Sequence, residues 1–161
     1  MAPVPRWAVV STFVLSLAGL GISIYLTLTH FFAGSIPLAC HATGAINCEA
    51  VTTSAQSYFL GIPVAVLGLV QYVTMTVLNS PWGWARPQRW VHVARFALAA
   101  VGFLFILWLI AAEALIIHAI CLWCSGVHLI TFSILVILTR VSPAQLGWVS
   151  SPESESDALP R

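Results

Sequence analysis

Residues 91–138 read VHVARFALAAVGFLFILWLIAAEALIIHAICLWCSGVHLITFSILVIL. As one helix this run would be about 70 Å long, more than twice the roughly 30 Å hydrocarbon thickness of a bilayer. It must therefore fold back on itself. No Gly or Pro marks the turn, but Glu113 to Cys124 is the most polar interior stretch, which places the reversal near His118. Upstream, a first span is expected from about Ala8 to Phe32. It is too long for the apolar core of a signal peptide and lacks a clear cleavage site, so it reads as an anchor. A second span is expected from about Gly61 to Leu78, opened by Gly61-Ile62-Pro63 with the proline in the first helical turn and ended by Asn79-Ser80-Pro81.

Composition agrees. Of 161 residues, 60% are apolar and 7% charged, against about 25% charged in a soluble domain, and the mean hydropathy is +0.97. The fold class expected is an all-α integral membrane protein, a bundle of four transmembrane helices. A net charge of +1 without a basic cluster leaves no footprint for nucleic acid. Neither a phosphate-binding loop nor a dinucleotide fingerprint is present.

Charge supports the count of four. Arg6, Arg86, Arg89, Arg140 and Arg161 then fall on one side, and Arg95 lies just inside the third span, from where it can snorkel to the same side. The opposite face, made by the 33–57 loop and the turn near His118, has no Lys or Arg. The positive-inside rule puts both termini in the cytoplasm. Trp7, Trp82, Trp84, Trp90 and Trp148 lie near that face, as an interfacial belt does. Residues 1–141 form the expected membrane domain. Residues 142–161, with Ser-Pro-Glu-Ser-Glu-Ser-Asp at 151–157, form an expected disordered cytoplasmic tail.

This topology gathers all four cysteines on the outer, oxidising face of a bacterial inner membrane. Cys40 and Cys48 lie in the outer loop, and Cys121-Leu122-Trp123-Cys124 opens the fourth helix. Sulfurs three residues apart share a helical face, and the positive end of the helix dipole favours thiolate at the cysteine nearest the start. Four cysteines allow three pairings. Two passive disulfides, a loop staple beside an inert pair, or a tetrahedral zinc site are the bland alternatives. A mobile dithiol beside a membrane-embedded one also permits exchange through a mixed disulfide, passing electrons from an external thiol protein to a lipid-soluble acceptor such as a quinone.

The ordered set Cys40-x7-Cys48, Cys48-x5-Ser54, Gly61-Ile62-Pro63 and Cys121-x2-Cys124 resembles the vitamin K epoxide reductase family in its bacterial form, over roughly residues 8 to 140. DsbB-type quinone reductases also have four helices and two cysteine pairs, but carry their CxxC in the first outer loop. The resemblance implies a bundle around a quinone (menaquinone or ubiquinone), with an outer loop and short helix, about Glu49 to Ser57, capping it. Cys121 and Cys124 are then the active-site pair, Cys124 acting on the quinone. Cys121 exchanges with Cys48, and Cys40 meets the redox partner. The family serine maps to Ser54. Ser57 and His128 are further quinone-site candidates on this chain's own residues: His128 lies one turn below Cys124 on the same face, where it either donates to a quinone oxygen or is satisfied against a neighbouring helix. Some members carry a fused thioredoxin-like domain; here the partner is expected to be a separate DsbA-like thioredoxin-fold protein. Vertebrate members have a tyrosine where this chain has His128, which favours plain quinone reduction over epoxide reduction.

The activity expected is that of a thiol:quinone oxidoreductase supporting disulfide bond formation. The alternatives are a quinone epoxide reductase and a non-catalytic membrane scaffold. Among secondary candidates, Glu113 is the only acid well inside a span, although its place near the outer end suggests contact with interfacial water. Phe103, Phe105, Trp108 and Trp123 are candidate walls of a quinone site. Gly19 and Ser23 give the first helix a small-residue face for close packing.

Overall fold

The computed structural model describes residues 4–33, 35–40 and 42–145. Four helices build the bundle: α1 (Arg6–Phe31), α3 (Val64–Asn79), α5 (Arg89–Ala112) and α6 (Leu122–Gln145), with short helices α2 (Cys48–Thr52) and α4 (Pro81–Trp84) in the connections. Three runs, Arg6–Phe31, Arg89–Ile117 and Leu122–Pro143, are long and apolar enough to cross a membrane. The fourth, α3, is apolar but has 16 residues, about 24 Å of helix. Outward-facing apolar side chains such as Val10, Val70, Leu104 and Leu129 are each at least 60% exposed, a surface suited to lipid. The protein is an all-α membrane bundle.

The reversal that length requires falls within the polar stretch, at His118. After Ala112 the helix widens into a single π-turn, Glu113–Ile117, and stops at His118 in the left-handed conformation (φ 55°). Leu122 then starts α6. The start of α3 differs from expectation. Residues Leu60 and Gly61 both have positive φ, and two such residues in succession turn a hairpin rather than a helix. They join β1 (Tyr58–Phe59) to β2 (Ile62–Pro63). Pro63 is therefore the extended residue before α3 and not part of its first turn.

Close packing of α1 on α3 depends on a missing side chain. A Cβ at Gly19 would fall inside the Tyr72 ring. Above that contact the Tyr72 hydroxyl lies 2.8 Å from Thr131 Oγ1 and donates to the Val127 carbonyl at 3.1 Å, so one side chain links α1, α3 and α6. Ser23 is likewise buried and faces Gly68 of α3.

Arg95 corrects a second expectation. It does not snorkel: it is 1% exposed. Its Nε and Nη2 both donate to the Leu78 carbonyl, at 3.1 and 2.6 Å, and its guanidinium stacks 3.6 Å above the Trp84 ring. Leu78 belongs to the last turn of α3, whose carbonyls have no partner further along the helix and carry the negative end of its dipole. A buried cation there is supplied with both a hydrogen-bond acceptor and a favourable field. Nη1 contacts His92 Nδ1 at 3.0 Å, and His92 Nε2 reaches the Arg86 carbonyl at 3.2 Å. Because arginine can only donate, this fixes the histidine proton on Nε2. Trp84, buried in turn, donates to Thr12 Oγ1, and Asn79 donates to Ser16 Oγ. Trp84 thus leaves the expected interfacial belt, whereas Trp7, Trp82 and Trp90 are exposed. Trp148 and Arg161 lie outside the described residues. So do residues 146–161 of the expected tail; its first four residues, 142–145, continue α6.

Replacement of Arg95 by alanine removes charged hydrogen bonds worth about 1.5–3 kcal/mol and strips the α3 terminus of its partner. Arg95→Ala is expected to lower the thermal midpoint of the detergent-solubilised protein, and Arg95→Lys to restore it only in part, since an ammonium cannot reproduce the planar fork. Fluorescence-detected size-exclusion after heating measures both.

Candidate redox site

The four cysteines meet in one packed cluster. Cys48, Val51, Ala119 and Cys121 are buried together, with Leu38, Cys40, Ile117, Trp123 and Cys124 packed against them. Cys40 and Cys48 are joined by a disulfide with their Cα atoms 6.0 Å apart. Cys121 and Cys124 are free thiols, the first with no exposed surface and the second half-buried. The Cys124 N–H donates to Cys121 Sγ at 3.3 Å. A hydrogen bond from the Cys124 side chain holds the Cys121 thiol below its ordinary value. Cys121, just ahead of α6, is thereby the better leaving group of the pair in disulfide exchange.

Main-chain pairing brings the two dithiols together. The Ile120 N–H donates to the Ala45 carbonyl at 2.8 Å, and the Asn47 N–H donates to the Ile120 carbonyl at 3.1 Å. The residue before Cys121 is thus laid alongside the residues before Cys48. Asn47 also caps α2 through its side chain, which accepts from Ala50 N–H at 3.0 Å. On the other side of the disulfide, Ala39 is gripped at both polar groups. Its N–H donates to Tyr25 Oη at 2.8 Å, and its carbonyl accepts from Trp123 Nε1 at 3.1 Å. The two rings pack with centroids 4.9 Å apart. Trp123 therefore anchors the loop next to Cys40 and does not line the cavity.

That cavity, of about 950 Å³, lies between the bundle and the loop. Cys40, Ser54, Ser57, Cys124 and His128 all line it, so the structure brings these expected site residues together, with Cys48 and Cys121 packed behind. Ser54 Oγ donates to the Val51 carbonyl at 2.7 Å and Ser57 Oγ to the Ser54 carbonyl at 2.6 Å. With their protons so committed, both oxygens face a ligand as acceptors, and donation to a carbonyl requires the hydroxyl to rotate. His128 is buried and makes no hydrogen bond to another described residue.

Of the aromatic candidates, Phe105 lines the cavity together with Phe59. Trp108 backs both rings, and Phe103 packs on Phe132 instead. Gln71, Tyr72 and Thr131 add polar groups to the lining that periodicity alone did not single out. Glu113 is the principal correction. Expected in interfacial water, it is 7% exposed and lines the same cavity. Its Oε2 accepts from the Cys121 N–H at 3.3 Å. The π-turn that begins at Glu113 brings it there, and no sequence periodicity announces a single widened turn.

A disulfide and a dithiol packed against each other, at the wall of a cavity inside an apolar bundle, define a membrane thiol–disulfide oxidoreductase. Comparison with family models gives the same answer by a separate route. Residues 10–139 match the vitamin K epoxide reductase family, and the chain belongs to it.

Tyr25→Phe removes the acceptor of the Ala39 N–H and leaves the ring in place. At about 1 kcal/mol for such a bond, amide hydrogen exchange at Ala39 is expected to quicken roughly fivefold. Exchange in the α1 core should not change.

Proposed function

We propose that this protein is a thiol:quinone oxidoreductase that reoxidises a separate DsbA-like thioredoxin-fold protein and passes the electrons to a membrane quinone. The observation that carries this reading is the single cluster in which a disulfide, a dithiol and a large cavity share walls. The cavity falls within the 300–1,000 Å³ typical of small-molecule sites. Its lining is mainly apolar, with a few placed polar groups, as a quinone ring and the first part of its tail require.

In the proposed sequence a thiolate of the partner attacks the Cys40–Cys48 disulfide at Cys40, which is partly exposed, and releases Cys48. A second thiol of the partner resolves the mixed disulfide, leaving the loop pair reduced. Cys48 then attacks the oxidised Cys121–Cys124 pair at Cys121 and expels Cys124. The Cys40–Cys48 bond re-forms as Cys40 displaces Cys121, a step helped by Cys121 being the easier thiolate to expel, and the inner pair is left as the dithiol. Cys124 delivers the electrons to the quinone, and the Cys121–Cys124 disulfide returns. Ser54, Ser57 and His128 are assigned to the quinone oxygens.

The orientation proposed is a bacterial inner-membrane protein with both termini cytoplasmic and the cysteines outside. Its support is the separation of charge from sulfur. Arg6, Arg86, Arg89 and Arg140 mark the ends of helices remote from the cysteine cluster, the end that the positive-inside rule assigns to the cytoplasm.

Purified protein is expected to couple oxidation of dithiothreitol to reduction of a short-chain quinone. Cys121→Ala and Cys124→Ala should each abolish that coupling, whereas Cys40→Ala should retain much of it, because a small dithiol can reach the inner pair directly. Substantial activity in either inner variant refutes the scheme. In its native envelope, Cys48→Ala should accumulate a mixed disulfide through Cys40, and mass spectrometry of that species identifies the partner. In intact cells, a membrane-impermeant maleimide added after reduction should label Cys40.

A further inference from the structure

The reduction of a quinone by two thiols moves protons as well as electrons. Two S–H bonds break, one S–S bond forms, and the quinone takes two electrons and two protons to become the quinol. Cys121 is fully buried and Cys124 half-buried at the wall of a mainly apolar cavity, so a proton that leaves either thiol for a bound quinone needs an acceptor at that wall. The lining contains no Lys or Arg among the described residues. Among the other titratable groups of the cavity, α6 presents Cys124 and His128, with Cys121 packed behind. The loop presents Glu49, which is solvent-exposed, while α1 and the hairpin present His30 and Tyr58, hydrogen-bonded to each other, and α3 presents Tyr72. Of these, Glu113 alone combines a buried carboxylate with a direct hydrogen bond to the CxxC, at the Cys121 N–H. One carboxylate oxygen is held by that bond, and its partner oxygen makes no hydrogen bond to another described residue.

On the reading that this chain passes electrons from thiols to a quinone, we propose that Glu113 is the proton carrier of the Cys121–Cys124 pair. Its carboxylate takes each thiol proton and hands it to a quinone oxygen. Electrostatics favours this exchange. A thiolate beside a carboxylate, with no cation near, places two like charges in a medium of low dielectric. Moving the thiol proton onto Glu113 keeps a single negative charge in the site, transferred from oxygen to sulfur. When the quinol leaves, Glu113 is again a carboxylate and the sulfurs are a disulfide, so protons and electrons balance over the cycle. The hydrogen bond to Cys121 N–H holds the carrier in register with the helix start that bears both thiols.

The test uses the full-length protein in nanodiscs, with dithiothreitol and a short-chain naphthoquinone, from mildly acidic to alkaline pH. Glu113→Gln keeps an acceptor for the Cys121 N–H but cannot carry a proton. It is expected to slow quinone reduction about 100-fold at neutral pH, the lower range for loss of a general acid–base group, with a residual rate that climbs as hydroxide replaces the carboxylate. Glu113→Asp, a carboxylate of shorter reach, should give an intermediate rate with the wild-type pH profile, and it decides alone if the glutamine variant does not assemble. Exchange between the two cysteine pairs, followed by alkylation and mass spectrometry, should persist in both. A glutamine variant at the wild-type rate overturns the proposal, and so does a loss equal in both variants and uniform with pH, which marks a structural role. Wild-type protein that reduces no quinone defeats the enzyme reading and this proposal with it; wild-type activity with an indifferent glutamine variant defeats the proposal alone.

Discussion

Ile120 holds the site together through its main chain. A polypeptide in an apolar surrounding cannot leave N–H and C=O groups without partners, and the chain reversal after α5 interrupts the helical ladder that would supply them. Ile120 satisfies both of its groups on the loop, at Ala45 and Asn47. The same two bonds set Cys48 beside Cys121 in one buried cluster. Juxtaposition of the two dithiols is thus a by-product of hydrogen-bond satisfaction, and the side-chain grips at Ala39 extend it to Cys40.

The two ends of the bundle solve the problem of buried polarity in opposite ways. At the arginine end, Thr12, Ser16, Asn79, Trp84, His92 and Arg95 engage one another and the last turn of α3, and Asn79 Oδ1 is the one fully enclosed side-chain oxygen or nitrogen among the described residues left without a partner. At the cysteine end, Glu113 and His128 are buried at a cavity wall with donor and acceptor capacity unspent. Satisfied networks make a rigid seal; unsatisfied groups around a void are what a polar-headed, apolar ligand can use.

Much of this was legible in the sequence wherever a length or a charge had to agree with a bilayer. The run 91–138 is too long for one crossing, so a reversal follows from that alone, and the polar stretch Glu113 to Cys124 places it near His118. The CxxC at a helix start follows from where the reversal falls. What was not legible depends on neighbours distant in the chain. Arg95 reads as a snorkelling cation until the end of α3 is placed beside it. Glu113 reads as interfacial until a widened turn carries it inward. Trp123 and Trp108 carry the composition of a quinone wall, but side-chain direction sends one to Ala39 and the other behind Phe105. Pro63 was expected inside a helix because the hairpin before it is made by positive φ at Leu60, a residue type that gives no warning of it.

The π-turn at Glu113–Ile117 makes this stretch more sensitive to length than to composition. Its apolar side chains, Leu115 and Ile116, point outward and could be exchanged for others of similar character at little cost. Loss of one residue would shorten the path between Glu113 and Ile120 and break the pairing with Ala45 and Asn47, parting the loop from the CxxC. Natural variation in this segment should therefore consist of substitutions, and deletions should be rare.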